Sequence, residues 1–244
     1  GQFTDVNGAP SPGLARLDAT TGAALPNPIG EIIRNGGPNS GITAVEGDIR
    51  GFYISGFADV VGAFEGAAAA DWDGNLRWME DCHGDSHDVW SAGSSVHVVG
   101  HPYNCATLEG FPEDEPRDHR GLISLTNETA QTLTVTAKPG YDAWPGQPAP
   151  RLMAHFPGLS QGTASGIGQS AWTVTGNADY LVVGGEFPRV NGVGQEGLVR
   201  FARRGIAPGR VGPETAALQV RATSRVGGEV RVLVTPTWDK DDAT

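Results

Sequence analysis

The feature that most constrains this chain is a short frame that returns along its length. Phe3-Thr4-Asp5-Val6-Asn7-Gly8 is matched 54 residues later by Phe57-Ala58-Asp59-Val60-Val61-Gly62, and again by Phe187-Pro188-Arg189-Val190-Asn191-Gly192. The shared frame is F-x-x-V-x-G. Upstream of it stands a strand-like segment closed by glycine: FYISG at 52–56, HVVG at 97–100 and LVVGG at 181–185. Downstream comes a second such segment: GLARLD at 13–18, AAAADWDG at 67–74, GLISLT at 121–126 and GLVRF at 197–201. A further segment leads into the unit, as GITAVEGD at 41–48, SHDVWSAGS at 86–94 and QSAWTVTGN at 169–177. Short apolar or alternating runs broken by glycine turns are the signature of strands, not of helices.

Composition agrees. The chain holds 36 glycines and 17 prolines, so turns are frequent, and only 18% of its residues are charged. Small antiparallel sheets recurring at roughly 40 to 50 residues predict propeller blades, because no single blade buries its faces without its neighbours. The expected fold is therefore all-β: a partial β-propeller over residues 1–208, of about three to four blades of four-stranded antiparallel sheet. The chain opens inside its own repeat, so it is expected to be a piece of a longer polypeptide whose further domains are its natural partners. In the segment 218–234, Leu218, Val220 and Ala222 alternate on one side of Gly227-Gly228, and Val230, Val232 and Val234 on the other. That pattern predicts a hairpin opening an immunoglobulin- or fibronectin-like sandwich over 209–244.

The quoted residues resemble a known family. VGGEFPRVNG followed by GLVRF, with GQFTDVNG and GLARLDATTGA as a second copy, is similar to the repeat of secreted actinobacterial β-propeller proteins. The resemblance covers residues 1–208 and implies a cell-surface or secreted parent in which fibronectin-like, PKD or lectin-like modules follow the propeller. WMEDCHGDSHDVW with VGHPYNCATLEGFP resembles a variant blade of that family. There Tyr103 replaces the phenylalanine and a longer insertion replaces the V-N-G turn. The resemblance implies no catalytic residues.

The two cysteines, Cys82 and Cys105, flank one expected strand pair. A disulfide between them would place the protein outside the cytoplasm; two buried free thiols are the alternative. The net charge of −11 leaves no basic stripe for phosphates, which excludes nucleic acid and anionic membrane surfaces as expected partners. No apolar run reaches bilayer length, so no membrane insertion is expected.

The chemistry-bearing residues cluster in the variant blade. His83, Asp85, His87 and Asp88, followed by His97 and His101, carry two H-x-x-x-H spacings that suggest zinc. That spacing converges only on a helix. On a strand it sets the two ligands about 13 Å apart at about 3.3 Å per residue. Hydrogen-bonding histidines are expected instead, with no metal and no other cofactor. Asp71, Asp73 and Asn75 begin like a calcium loop, but glycine stands in the fourth place and not the sixth, so a turn is expected. Asp239, Asp241 and Asp242 are candidates for an interdomain calcium site. No serine stands in a G-x-S-x-G elbow. Among the aromatic residues, Trp78 and Trp144 are expected to pack, whereas Tyr103, Phe111 and Tyr141 border the inserted connections. Asn127-Glu128-Thr129 fits a glycosylation acceptor, which carries little meaning in a bacterial chain.

These observations predict a non-enzymatic module for adhesion or for recognition of a polysaccharide or another surface protein. His83, Asp85, His87, His101, Tyr103 and Phe111 are its candidate contacts. A polysaccharide-degrading enzyme using Glu113, Asp114 or Glu115 is the alternative, and a structural spacer is another.

Overall fold

The structure, a computed structural model, describes residues 1–134, 144–203, 206, 219–224, 227–228 and 230–234. The expected boundary near residue 208 and the residues Tyr141, Asp239, Asp241 and Asp242 lie outside the described residues. Among those described, the chain is all-β except for one short helix, Ile29–Ile32, and a 3-10 turn, Ala106–Leu108.

Three antiparallel sheets make up most of it. The first is a four-stranded meander of Ser40–Asp48, Gly51–Ala58, Gly66–Ala70 and Leu76–Glu80. The second joins Ser86–Ser91, Ser95–Gly100 and Leu122–Thr126, and a lone bridge from Leu125 to Leu152 stands where a fourth strand would lie. The third joins Ala171–Gly176, Tyr180–Gly185 and Leu198–Ala202. The leading strand of the second sheet touches the first two strands of the first sheet, and also the leading strand of the third. Sheets therefore stack in chain order. Each interface has its own core: Ile54, Trp78, Met79, Val98 and Ile123 belong to the first, and Val99, Leu122, Val174, Val183 and Phe187 to the second. The alanine run Ala67–Ala70 does not alternate because all four residues are buried, on both faces of the sheet.

The glycine that closes each upstream segment has a structural cause. In every sheet the leading strand carries one extra residue against the next strand: Thr43, His87 and Trp172 are the bulged residues. Across from the residue before each bulge lie Gly56, Gly100 and Gly185. None of the three has a positive φ. They are needed for space, since a Cβ on Gly100 would strike the Asp85 carbonyl oxygen and one on Gly185 that of Ser170. At Gly56 the nearest carbonyl, that of Gly41, stands at 3.1 Å.

The V-N-G frame also resolves into turn chemistry. Asp5–Val6 pairs with Ala9–Pro10, and Arg189–Val190 with Val193–Gly194. Asn7-Gly8 and Asn191-Gly192 bridge them with φ of 51° and 76°, and 49° and 78°. Two consecutive positive φ values define a type I′ hairpin. The middle copy has Val61 in place of asparagine, which a β-branched residue cannot copy, and there the frame makes a turn with no strand pairing.

The downstream segment GLARLD is shorter than expected. Only Arg16–Leu17 is paired, with Ala24–Leu25, because the Asp18 carboxylate accepts the Thr20 and Thr21 amides and closes a turn. The hairpin Val220–Thr223 with Arg231–Val234 pairs Val220 with Val234 and Ala222 with Val232, as the alternation requires.

Candidate functional site

Two places bring chemically capable side chains together. The first surrounds the start of the second sheet. Cys82 and Cys105 are joined by a disulfide, which fixes the segment carrying His83 and Asp85 against the Tyr103 loop. The backbone tightens this join, as His83 and Asn104 form a bridge. His83 is buried with Tyr103 edge-on at 6.4 Å.

His87, as a bulged residue, leaves the pleat and stacks on Trp172 at 4.4 Å between ring centroids. His101 lies 5.8 Å from His87 and 5.4 Å from His119. Gln169 Oε1 stands 3.2 Å from His87 Nε2 and 3.0 Å from His101 Nδ1, so both rings donate to it. His101 Nε2 in turn accepts the Asp85 amide at 3.3 Å. Both nitrogens of His101 are thus committed, and no lone pair is left for a metal ion. Burial holds His101 below the usual histidine range, although the Asp85 carboxylate opposes the shift.

Beneath this cluster lies an acidic cavity of about 320 Å³ bordered by Asp59, Glu65, Asp81, His83, Tyr103 and Trp144. Burial pushes the Glu65 carboxyl up to about 7, and it shares a hydrogen bond with Asp85. One proton held between two carboxyl groups satisfies that pair near neutrality. Among the described residues, the one group with metal-ligand proximity is Glu80 with Cys82 and Cys105. Its sulfurs are bonded to each other, and Glu80 accepts the Ala67 and Cys82 amides at 2.7 and 2.8 Å.

The structure therefore gathers Asp85, His87 and His101, places His83 and Tyr103 beside them, and sends Phe111 elsewhere. Phe111 packs edge-on against Phe156 at 5.6 Å with the Arg120 guanidinium 5.3 Å from its ring. Trp78 is fully buried and donates to the Asn127 carbonyl at 3.0 Å, while Trp144 packs on Phe64. Asp71 accepts the Asp73 and Asn75 amides, closing the expected turn. Asn127, at the head of the acceptor triplet, does not reach the surface. It is fully buried, and its side-chain amide donates to Gly93 at 2.7 Å, so it faces the interior where a glycan has no room.

The second place is a cleft of about 480 Å³ between the second and third sheets, with Trp90, His97, Ser124, His155, Tyr180 and Phe201 among its lining. Trp90 stacks near-parallel on His97 at 5.9 Å, and His155 stands edge-on to Phe201 at 5.6 Å. Gly176 makes room for the indole, since a Cβ there would lie 2.8 Å from Trp90. His97, which strand spacing sets apart from His101, lines this cleft and not the first cluster. The rest went unnoticed for identifiable reasons. Trp172 is found only by aligning leading strands on the glycine opposite each bulge, and His155 lies in an irregular segment without periodicity.

The carboxylates at 113–115 do not converge on a site. Glu113 pairs with Arg117 at 2.8 Å, and Asp114 and Glu115 are exposed. No helix among the described residues is long and apolar enough to cross a membrane. Compared with protein-family models, curated proteins and solved structures, the chain matches none.

Proposed function

We propose that the three stacked sheets are successive blades of a β-propeller in a secreted or cell-wall-associated protein of the actinobacterial repeat type, and that the module recognises a polysaccharide without transforming it. The hairpin at 220–234 begins a separate sandwich on this reading. Support for the propeller comes from the bulge, its opposed glycine and the inter-sheet contact recurring in each sheet. The Cys82–Cys105 disulfide suits an oxidising compartment.

The single observation that carries recognition is the aromatic-walled cleft between the second and third sheets. Concave sites lined by aromatic rings with a few placed polar groups are the usual form of a small-ligand site. A non-enzymatic role is favoured because the Ser124 hydroxyl in the cleft is flanked by imidazoles that burial pushes down to about 4, too weakly basic to activate it.

The test is binding of the chain to a broad glycan array with and without EDTA. Specific binding that survives EDTA supports the reading, since both ring nitrogens of His101 are committed to hydrogen bonds. Absence of binding by demonstrably folded protein replaces recognition with a spacer role.

A further inference from the structure

At the floor of the inter-sheet cleft, one buried hydroxyl joins two imidazoles. Ser124 Oγ lies 2.9 Å from His97 Nδ1 and 3.0 Å from His155 Nδ1, and Ser95 Oγ lies 3.2 Å from His97 Nε2. A hydroxyl has a single proton, so Ser124 donates to one ring and accepts from the other. The tautomers are consequently linked. When Ser124 donates to His97, that ring carries its proton on Nε2 and gives it to Ser95. His155 then donates from Nδ1 and presents a bare lone pair at Nε2. When the chain of protons is reversed, His155 Nε2 presents N–H instead.

His155 Nε2 is the outer end of this chain. It makes no hydrogen bond among the described residues, and its ring lines the cleft. Both imidazoles are uncharged near neutrality, because burial pushes His97 and His155 each down to about 4. The wall beside the two imidazoles is aromatic, with Trp90 on His97 and Phe201 against His155. Two charged residues, Asp179 and Arg203, also belong to the lining, and Arg203 donates to the Ala178 carbonyl at 3.2 Å.

These features select a ligand chemistry. An anion finds no cation at the floor. A wholly apolar ring would leave His155 Nε2 desolvated without a partner, which is unfavourable for a buried polar atom. A hydroxyl group both donates and accepts, so it suits His155 in either tautomer, and the apolar face of a sugar ring suits the aromatic wall. We propose that the cleft holds a ring of a neutral sugar, with one hydroxyl on His155 Nε2 and its apolar face against Trp90 and Phe201. This site assignment rests on the recognition reading above and gives it a substrate class.

The experiment titrates the full chain at pH 7 with neutral hexoses and their short oligomers, and in parallel with uronic-acid oligomers. Nitrogen-15 spectra of the histidine rings and proton spectra of the tryptophan indoles report where the ligand sits. His155→Phe keeps the wall and removes the polar end, while Trp90→Ala removes the platform; far-ultraviolet circular dichroism checks that each remains folded. The expected result is that neutral sugar shifts the His155 Nε2 and Trp90 indole signals, and that His155→Phe weakens binding by about tenfold or more. Sugar binding that both variants retain overturns the cleft assignment and leaves recognition standing. Binding of acidic sugars alone overturns the neutral class. Failure of the folded chain to bind any sugar overturns both.

Discussion

His87 stacks on Trp172 with ring centroids 4.4 Å apart and planes 28° from parallel, and the two residues hold the same place in successive sheets. Each is the extra residue of a bulge in its leading strand, as Thr43 is in the first sheet. Thr43 also reaches its neighbour, donating to the Ser86 carbonyl at 2.7 Å. The bulge thus does two things: it turns a side chain toward a neighbouring sheet and, in the second and third sheets, it brings a carbonyl so close to the second strand that only glycine fits opposite.

That geometry orders three alanine substitutions. Gly100→Ala and Gly185→Ala force a methyl group onto a backbone carbonyl and are expected to destabilise by about 2–3 kcal/mol. Gly56→Ala meets its nearest atoms at 3.1 Å and is expected to cost about 1 kcal/mol or less. Urea midpoints measured on the three variants check the order, and equal losses would count against the bulge explanation.

Asp88 joins the second sheet to the third. Its Oδ2 accepts the Thr173 hydroxyl at 2.7 Å and the Val174 amide at 2.9 Å. Asp88→Ala leaves these donors without their partner and is expected to cost about 1–3 kcal/mol. Hydrogen exchange should show the loss locally: amides of Ala171–Gly176 lose protection while those of Ser40–Asp48 keep it.

The disulfide closes a loop across a sequence separation of 23. Chain-entropy arguments give about 3 kcal/mol for such a loop. Cys82→Ser with Cys105→Ser is expected to lower stability by that order. Reductant should shift the wild-type urea midpoint toward the variant's and leave the variant unmoved.

The buried imidazoles make stability depend on pH. In the folded chain His97 and His155 titrate near 4 instead of 6.5, so the unfolded chain binds more protons between those values. Stability therefore rises with pH from about 4 to about 6.5 on account of these groups, by up to about 3 kcal/mol for each. Glu65, raised to about 7, acts in the opposite sense between about 4.5 and 7, since there the folded chain binds the extra proton. His155→Phe removes one upward contribution. Urea unfolding at pH 4.5 and pH 6.5 should show a smaller gain for the variant than for the wild type, and an unchanged gain would refute the assignment.

Asn127 offers a test in a glycosylating host. Its side chain lies 2.7 Å from both the Tyr53 hydroxyl and the Gly93 carbonyl, and it links the first sheet to the second. The folded chain is expected to leave the host with Asn127 unmodified, as intact-mass measurement would show. Asn127→Gln is expected to lower the melting temperature, because the longer side chain cannot keep both contacts.

The sequence by itself determined the strands, the turns and their repetition. Alternation and glycine spacing placed the long strands of the three sheets except Leu76–Glu80, and Asn7-Gly8 and Asn191-Gly192 specified their hairpins, because local sterics decide those choices. Pairing Cys82 with Cys105 needed only the strand pair between them. Location in space was beyond it. His97 and His101 share one stretch of chain but separate into different sites, because the strand that carries His97 ends at Gly100, before His101. Asn127, in an ordinary acceptor motif, turns inward because Tyr53 and Gly93 converge on it from elsewhere in the chain. The cleft is the clearest case. Ser124 lies 31 residues from His155, and only the stacking of one sheet on the next brings such residues within hydrogen-bonding reach. Local pattern records what each segment becomes; contacts between distant segments depend on how the sheets pack, and no short window of sequence contains that.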